Sequence, residues 1–88
     1  MEKFKVVEKV ILNNKIIQEV FDEYRDYIDS YNDVKERINT YLGDILSTQE
    51  VEEFSIYGNG IDFTIKDSYY VDGKLEQEEI NITIIEVE

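Results

Sequence analysis

Two short turn signals constrain this chain more than anything else in it. Asn59-Gly60 and Asp72-Gly73 each lie between stretches in which apolar and polar residues alternate. Asn-Gly and Asp-Gly are the pairs tight hairpins favour, because both central residues take positive φ there. A two-residue turn at Asn59-Gly60 sets Ile56 opposite Phe63 and Phe54 opposite Ile65. A turn at Asp72-Gly73 sets Ile65 opposite Ile80, Phe63 opposite Ile82 and Ile61 opposite Ile84. The two hairpins agree on one apolar face of their shared middle strand, and a slip of one residue in either would destroy the agreement. Residues of about 51–87 therefore read as a three-stranded antiparallel meander. Its wet face carries Glu53, Ser55, Tyr57, Asp62, Thr64, Lys66, Glu79, Asn81, Thr83 and Ile85, with Lys66 between Glu53 and Glu79.

The preceding half, about residues 3–47, has the period of helices. Ile17, Val20, Phe21, Tyr24, Tyr27, Ile28 and Tyr31 recur at steps of three and four, which gathers them on one helix face. Val34, Ile38, Tyr41, Leu42, Ile45 and Leu46 repeat the pattern. Phe4 to Leu12 fits a helix stripe through Phe4, Val7 and Ile11, although its Val-rich makeup also suits a strand; a helix is expected, with Asn13 or Asn14 capping the next one. Gly43 inside a helix is expected to mark a close approach of another backbone. The expected fold is α+β: two or three N-terminal helices packed on one face of the meander, in a single domain spanning 1–88.

At 88 residues the chain supports one core. His and Cys are absent, which removes imidazole bases, thiolate nucleophiles, disulfides and Cys-type zinc sites. An EF-hand loop built on Gly73 fails at its first ligand positions, and no phosphate-cradling Gly pattern is present. Asp67, Asp72 and Glu76 collect a cation less readily than they serve as turn residues. No catalytic residue, cofactor or metal site is expected, and neither is a membrane span.

The charge is what remains to explain. There are 21 Asp and Glu against 9 Lys and Arg, a formal charge of -12. Residues 1–18 carry a net +2, residues 19–53 a net -8 and residues 54–88 a net -6. On a continuous helix Glu19, Asp22, Glu23, Asp26, Asp29 and Asp33 would share one face, with Tyr27 beside them; Asp72, Glu76, Glu78 and Glu79 follow the second turn. An acidic helix face is most often a solvated one. Here the acids lack interleaved basic residues, which forgoes the usual i,i+4 pairing, and Tyr is favoured at interfaces. Such a field repels nucleic acid and attracts a basic protein.

In profile the chain resembles the phage-encoded nucleic-acid mimics, a group that includes anti-CRISPR inhibitors and uracil-DNA glycosylase inhibitors: short, strongly acidic, α+β and Tyr-rich. The resemblance carries no functional residue onto particular positions. It implies an inhibitor that blocks the basic nucleic-acid site of a target, working in the cytoplasm of a bacterial or phage-infected cell. The partner-binding residues are expected to be Glu19, Asp22, Glu23, Asp26, Tyr27, Asp29, Asp33, Asp72, Glu76 and Glu78. Two alternatives use the same features: an immunity protein or antitoxin that neutralises a basic toxin, and an assembly protein that forms a homodimer through an exposed edge strand at residues 78–87.

Overall fold

The computed structural model describes residues 3–48 and 51–87, and the side chains of these other than 46–48 and 51–54. The order of elements is β1 (Phe4–Leu12), β2 (Lys15–Tyr24), α1 (Tyr27–Thr48), β3 (Val51–Gly58), β4 (Asp62–Val71) and β5 (Lys74–Glu86). All five strands are antiparallel neighbours in one sheet of order β2-β1-β5-β4-β3. The fold is therefore mostly β with a single helix. That corrects the expectation of two or three helices on a three-stranded meander.

The correction lies entirely in the first half, and two local causes explain it. Asn13 and Asn14 both take positive φ, 49° and 68°, so they form the centre of a tight hairpin turn and cap no helix. β1 alternates strictly, with Phe4, Val6, Glu8, Val10 and Leu12 paired toward the same side. Glu8 stands at an inward position and interrupts what would otherwise read as an apolar strand stripe. The β-branched residues Val6, Val7, Val10, Ile11, Ile16, Ile17 and Val20 then favour strands over helices on their own account. α1 keeps the second of the two helical patterns and, of the first, only Tyr27, Ile28 and Tyr31.

The meander forms as expected in outline. β4 and β5 pair Ile65 with Ile80 and Phe63 with Ile82, and Asp72-Gly73 makes the turn with both residues at positive φ. β3 and β4 pair Ile56 with Ile65 and Gly58 with Phe63, a shift of two residues that preserves which face each side chain takes. The cause is the turn itself. The Asn59 N–H donates to the Asp62 carbonyl at 3.1 Å, and the Asn59 side-chain oxygen accepts from the N–H groups of Ile61 and Asp62. Asn59 thus closes the turn and its centre moves to Gly60-Ile61, with Gly60 at φ +95°.

α1 packs across one face of the sheet, its start tied to the β3–β4 turn through Tyr27 and its middle bonded to Glu8 of β1 and Asp22 of β2. The core beneath it consists of Val6 and Val10 of β1, Val34 and Ile45 of α1, Ile65 of β4, and Ile80, Ile82 and Ile84 of β5, with Phe4, Tyr24, Tyr31, Ile38, Tyr41 and Phe63 packed around them. Each fully buried aliphatic side chain contributes about 1.5–3 kcal/mol. β5 pairs on both sides over residues 78–83, with β1 and with β4, so most of the expected edge at 78–87 is interior to the sheet. The edges belong to β2 and β3.

The molecule is long and narrow. Its extents are 49 × 23 × 19 Å and its radius of gyration 14.1 Å, against roughly 12 Å for a compact domain of this length. The length comes from the β4–β5 hairpin. β1 pairs with β5 only as far as Glu78, so Lys74 to Gln77 run beyond the end of β1. The β1–β2 turn is clipped to this arm: the Asn13 N–H donates to the Gln77 carbonyl at 2.8 Å, and the Gln77 N–H donates to the Asn13 side chain at 2.9 Å.

Candidate acidic interface

The acidic residues do not lie on one helix. Glu19, Asp22 and Glu23 are in β2, where alternation divides them. Asp22 pairs with Val6 and faces α1, while Glu19 and Glu23 pair with Lys9 and Lys5 on the open face. Asp26 caps α1: its Oδ1 accepts from the Asp29 N–H at 2.9 Å, and its carbonyl accepts from the Ser30 hydroxyl at 3.0 Å. Such a cap satisfies N–H groups that the first helical turn leaves open. Tyr27 stacks on Tyr31 at 5.9 Å between ring centroids and donates its hydroxyl to the Gly60 carbonyl, which ties the helix start to the β3–β4 turn. Tyr24 and Tyr31 pack against the core, and Tyr57 and Tyr70 are exposed.

α1 nevertheless bears an acidic stripe of its own. Asp29, Asp33, Glu36 and Asp44 follow steps of four, three and eight, which a 3.6-residue period places along one side of the helix. Asp29, Glu36 and Asp44 are exposed and Asp33 is half-buried. From Asp29 to Asp44 the stripe runs about 22 Å at 1.5 Å per residue. Glu36 and Asp44 were not among the residues expected to bind a partner. The signal for them was present, because both continue the helical spacing set by Asp29 and Asp33.

Arg37 anchors this stripe to the sheet. Its Nε donates to Asp33 Oδ2 at 3.0 Å, its Nη1 to Glu8 Oε1 at 3.3 Å, and its Nη2 to Asp22. Tyr41 donates to the other Glu8 oxygen at 2.7 Å. Burial opposes the guanidinium charge, yet Asp33, Glu8 and Asp22 outweigh it and hold Arg37 above its usual range. Tyr24, pushed up to about 12, owes this first to burial and then to Asp33. Tyr41 is raised by burial and by its bond to Glu8. Asp33 and Arg37 thus lie on the flank of α1 nearest Asp22, so the acidic stripe leans toward the β2 edge.

The second acidic group is far away. Asp72 forms the β4–β5 turn at φ 51°, Glu76 accepts from the Asn13 side chain, and Glu78 is the cross-strand partner of Asp67. Along β5 the turn lies about 40 Å from Glu86, the end nearest the start of α1, at ~3.3 Å per residue. The two groups therefore do not form one surface. Asp67 is buried and its carboxylate finds no hydrogen-bond donor among the described residues. Burial raises both Asp67 and Glu78, and the charge of Asp67 raises Glu78 further.

The open face of the sheet is wet and internally satisfied. Asn81 donates to Asp62 and to Thr64 at 3.0 and 3.2 Å, Thr83 donates to Asp62 and to Asn81 at 3.3 and 3.1 Å, and Lys66 meets Glu79 at 3.4 Å. Lys66 stands opposite Ser55; Glu53, expected beside it, stands opposite Ser68. Among the described residues no group of three or more acidic side chains is arranged to hold a metal ion, and no helix is long and apolar enough to cross a membrane. No family model matches the chain, and neither a curated protein nor a solved structure matches it.

Proposed function

We propose that this chain is an acidic protein-binding module that occupies the basic nucleic-acid site of a target protein in the cytoplasm, with α1 standing in for a row of phosphates. The observation that carries this reading is the stripe of Asp29, Asp33, Glu36 and Asp44, begun by the capping Asp26 and carried on a helix rigidly docked through Arg37. A carboxylate accepts charge-assisted bonds from Arg and Lys much as a phosphate oxygen does. The net charge of -12 over a length of 49 Å is about one charge per 4 Å, sparser than the ~1.7 Å of a duplex but of the same net sign. The cross-section of 23 × 19 Å is close to that of a nucleic-acid duplex. Attraction of this kind speeds encounter and fades as salt rises.

The test is a tagged pull-down at low and high salt, followed by competition. A captured nucleic-acid-binding protein is expected to release its oligonucleotide when the wild-type chain is added. The double variant Asp29→Lys/Glu36→Lys is expected to fold normally and to lose that competition by an order of magnitude or more. Equal competition by wild type and variant would remove α1 from the interface. Capture that survives high salt unchanged would remove charge as its basis.

A further inference from the structure

β2 is the terminal strand of the sheet and pairs only with β1. Nine of its ten residues are exposed, among them Ile16 at 58% and Phe21 at 55%. The outward N–H and C=O groups of such a strand have no strand partner among the described residues, and a row of this kind is a template for another strand. Native edges are usually blunted by Lys or Pro, and β2 has no Pro and one Lys, at its first position.

Charge decides what that other strand is. Glu19 and Glu23 lie along the open-face side of β2. Lys5, opposite Glu23, places its ammonium over the Phe21 ring at 4.1 Å from the centroid. Asp22 and the α1 stripe line the other side. A second copy of this chain paired antiparallel about Phe21 would set Glu19 of each copy against Glu23 of the other, which is unfavourable for strands laid side by side. We propose that the β2 edge docks an extended, basic segment of another protein as a sixth strand, with its Lys or Arg residues on the open face beside Glu19, Phe21 and Glu23 and its apolar residues on the α1 side beside Val20. Main-chain bonds would supply affinity and the acids would select the partner. The inference rests on the reading of this chain as a binder of basic proteins and adds a second element of contact to α1.

The probe is a synthetic peptide as long as β2 that alternates Arg and Val, titrated into the isotope-labelled protein at low salt. Amide shifts and slowed hydrogen exchange confined to residues 15–24 are expected. A peptide of the same sequence, N-methylated at alternate residues, keeps the charge and loses the main-chain donors; it is expected to bind on the order of tenfold more weakly. The variant Glu19→Gln/Glu23→Gln, which removes the acids without setting new Lys residues against Lys9 and Lys5, is expected to lose binding with a nearly unchanged unfolding midpoint. Equal binding by the methylated peptide would overturn strand addition, as would shifts centred on α1 or β3, self-pairing of β2, or no binding at all. If those results came while Asp29→Lys/Glu36→Lys still abolished competition with nucleic acid, the edge inference would fail and the reading of α1 would stand.

Discussion

Glu8 is divided between two partners: Arg37 Nη1 reaches its Oε1 at 3.3 Å, and Tyr41 donates to its Oε2 at 2.7 Å. The carboxylate is buried at the centre of β1, with Val6 and Val10 two residues to either side on the same face. It is held there because one cation and one hydroxyl satisfy it under the helix. Removing one partner of a buried pair leaves a charge without compensation and costs about 3–5 kcal/mol. Arg37→Ala is therefore expected to lower the urea unfolding free energy by about that amount. The double variant Glu8→Met/Arg37→Met, which removes both charges and keeps the volume, is expected to regain most of it. A double variant no more stable than Arg37→Ala would contradict this account.

The same residue explains why half of the fold was hidden in the sequence. β1 reads as a broken strand because Glu8 replaces an apolar residue at an inward position, and only the long-range partner Arg37, 29 residues away, makes that acceptable. β2 reads as a helix because Ile17, Val20, Phe21 and Tyr24 happen to fall at helical steps, while the exposure of all but Tyr24 in an edge strand leaves no buried face to impose an alternation. The β4–β5 hairpin was legible to the residue, since Asp72-Gly73 alone determines its register. The β3–β4 hairpin was legible in its faces but not its pairing, because Asn59 uses its side chain to close a turn one step further on. Within the interface, the α1 stripe was half visible through Asp29 and Asp33. The division of Glu19, Asp22 and Glu23 between two sides of a strand required the strand to be known.

Two glycines that look alike in sequence are expected to respond in opposite ways. A Cβ at Gly43, in the exposed side of α1, meets nothing within 4 Å, so no other backbone approaches there, contrary to what a helical glycine led us to expect. Gly43→Ala is expected to stabilise the domain by about 0.8–1 kcal/mol, the propensity difference alone. Gly58 lies across from Phe63, and a Cβ there would collide with the Phe63 ring. That ring also packs on Tyr31, 6.0 Å away between centroids, and has little room to yield. Gly58→Ala is expected to cost about 1–3 kcal/mol, as overpacking does. Thermal unfolding of the two variants side by side checks both signs.

Stability is expected to fall as pH rises from the acidic side, and Asp67 and Glu78 are the reason. Burial raises both carboxyls in the folded chain. A group whose folded pKa exceeds its unfolded value binds more protons when folded. Its contribution is therefore complete below the unfolded range, about 3.9–4.3, and is lost as pH climbs through the raised values. Glu76, which stands opposite Tyr69 on the same hairpin, adds negative charge near the pair. General repulsion among 21 acidic residues acts in the same direction, so the variant separates the two. Asp67→Asn supplies a donor to Glu78 and is expected to raise the neutral-pH urea midpoint and flatten its pH dependence between the acidic range and neutrality. An unchanged slope in the variant would assign the whole effect to the overall charge.

The acids of β2 also bear on whether the protein associates with itself. An edge of ten residues with Ile16, Ile17, Val20 and Phe21 exposed has the apolar content of an aggregation-prone strand, so something must keep two copies apart. Glu19, Asp22 and Glu23 are spaced along that edge, and an antiparallel self-pairing about Phe21 sets Glu19 of one copy against Glu23 of the other. Asp22 is engaged by Arg37, which leaves Glu19 and Glu23 as the exposed guards. The wild type is expected to sediment as a monomer at low and moderate salt. Glu19→Thr/Glu23→Thr keeps strand propensity, removes the repulsion and is expected to form dimers or larger species whose proportion rises with concentration. If the variant stayed monomeric at the highest concentration attainable, the exposed apolar residues of β2 would be insufficient to drive strand pairing, and a basic partner segment would have to bind through charge alone.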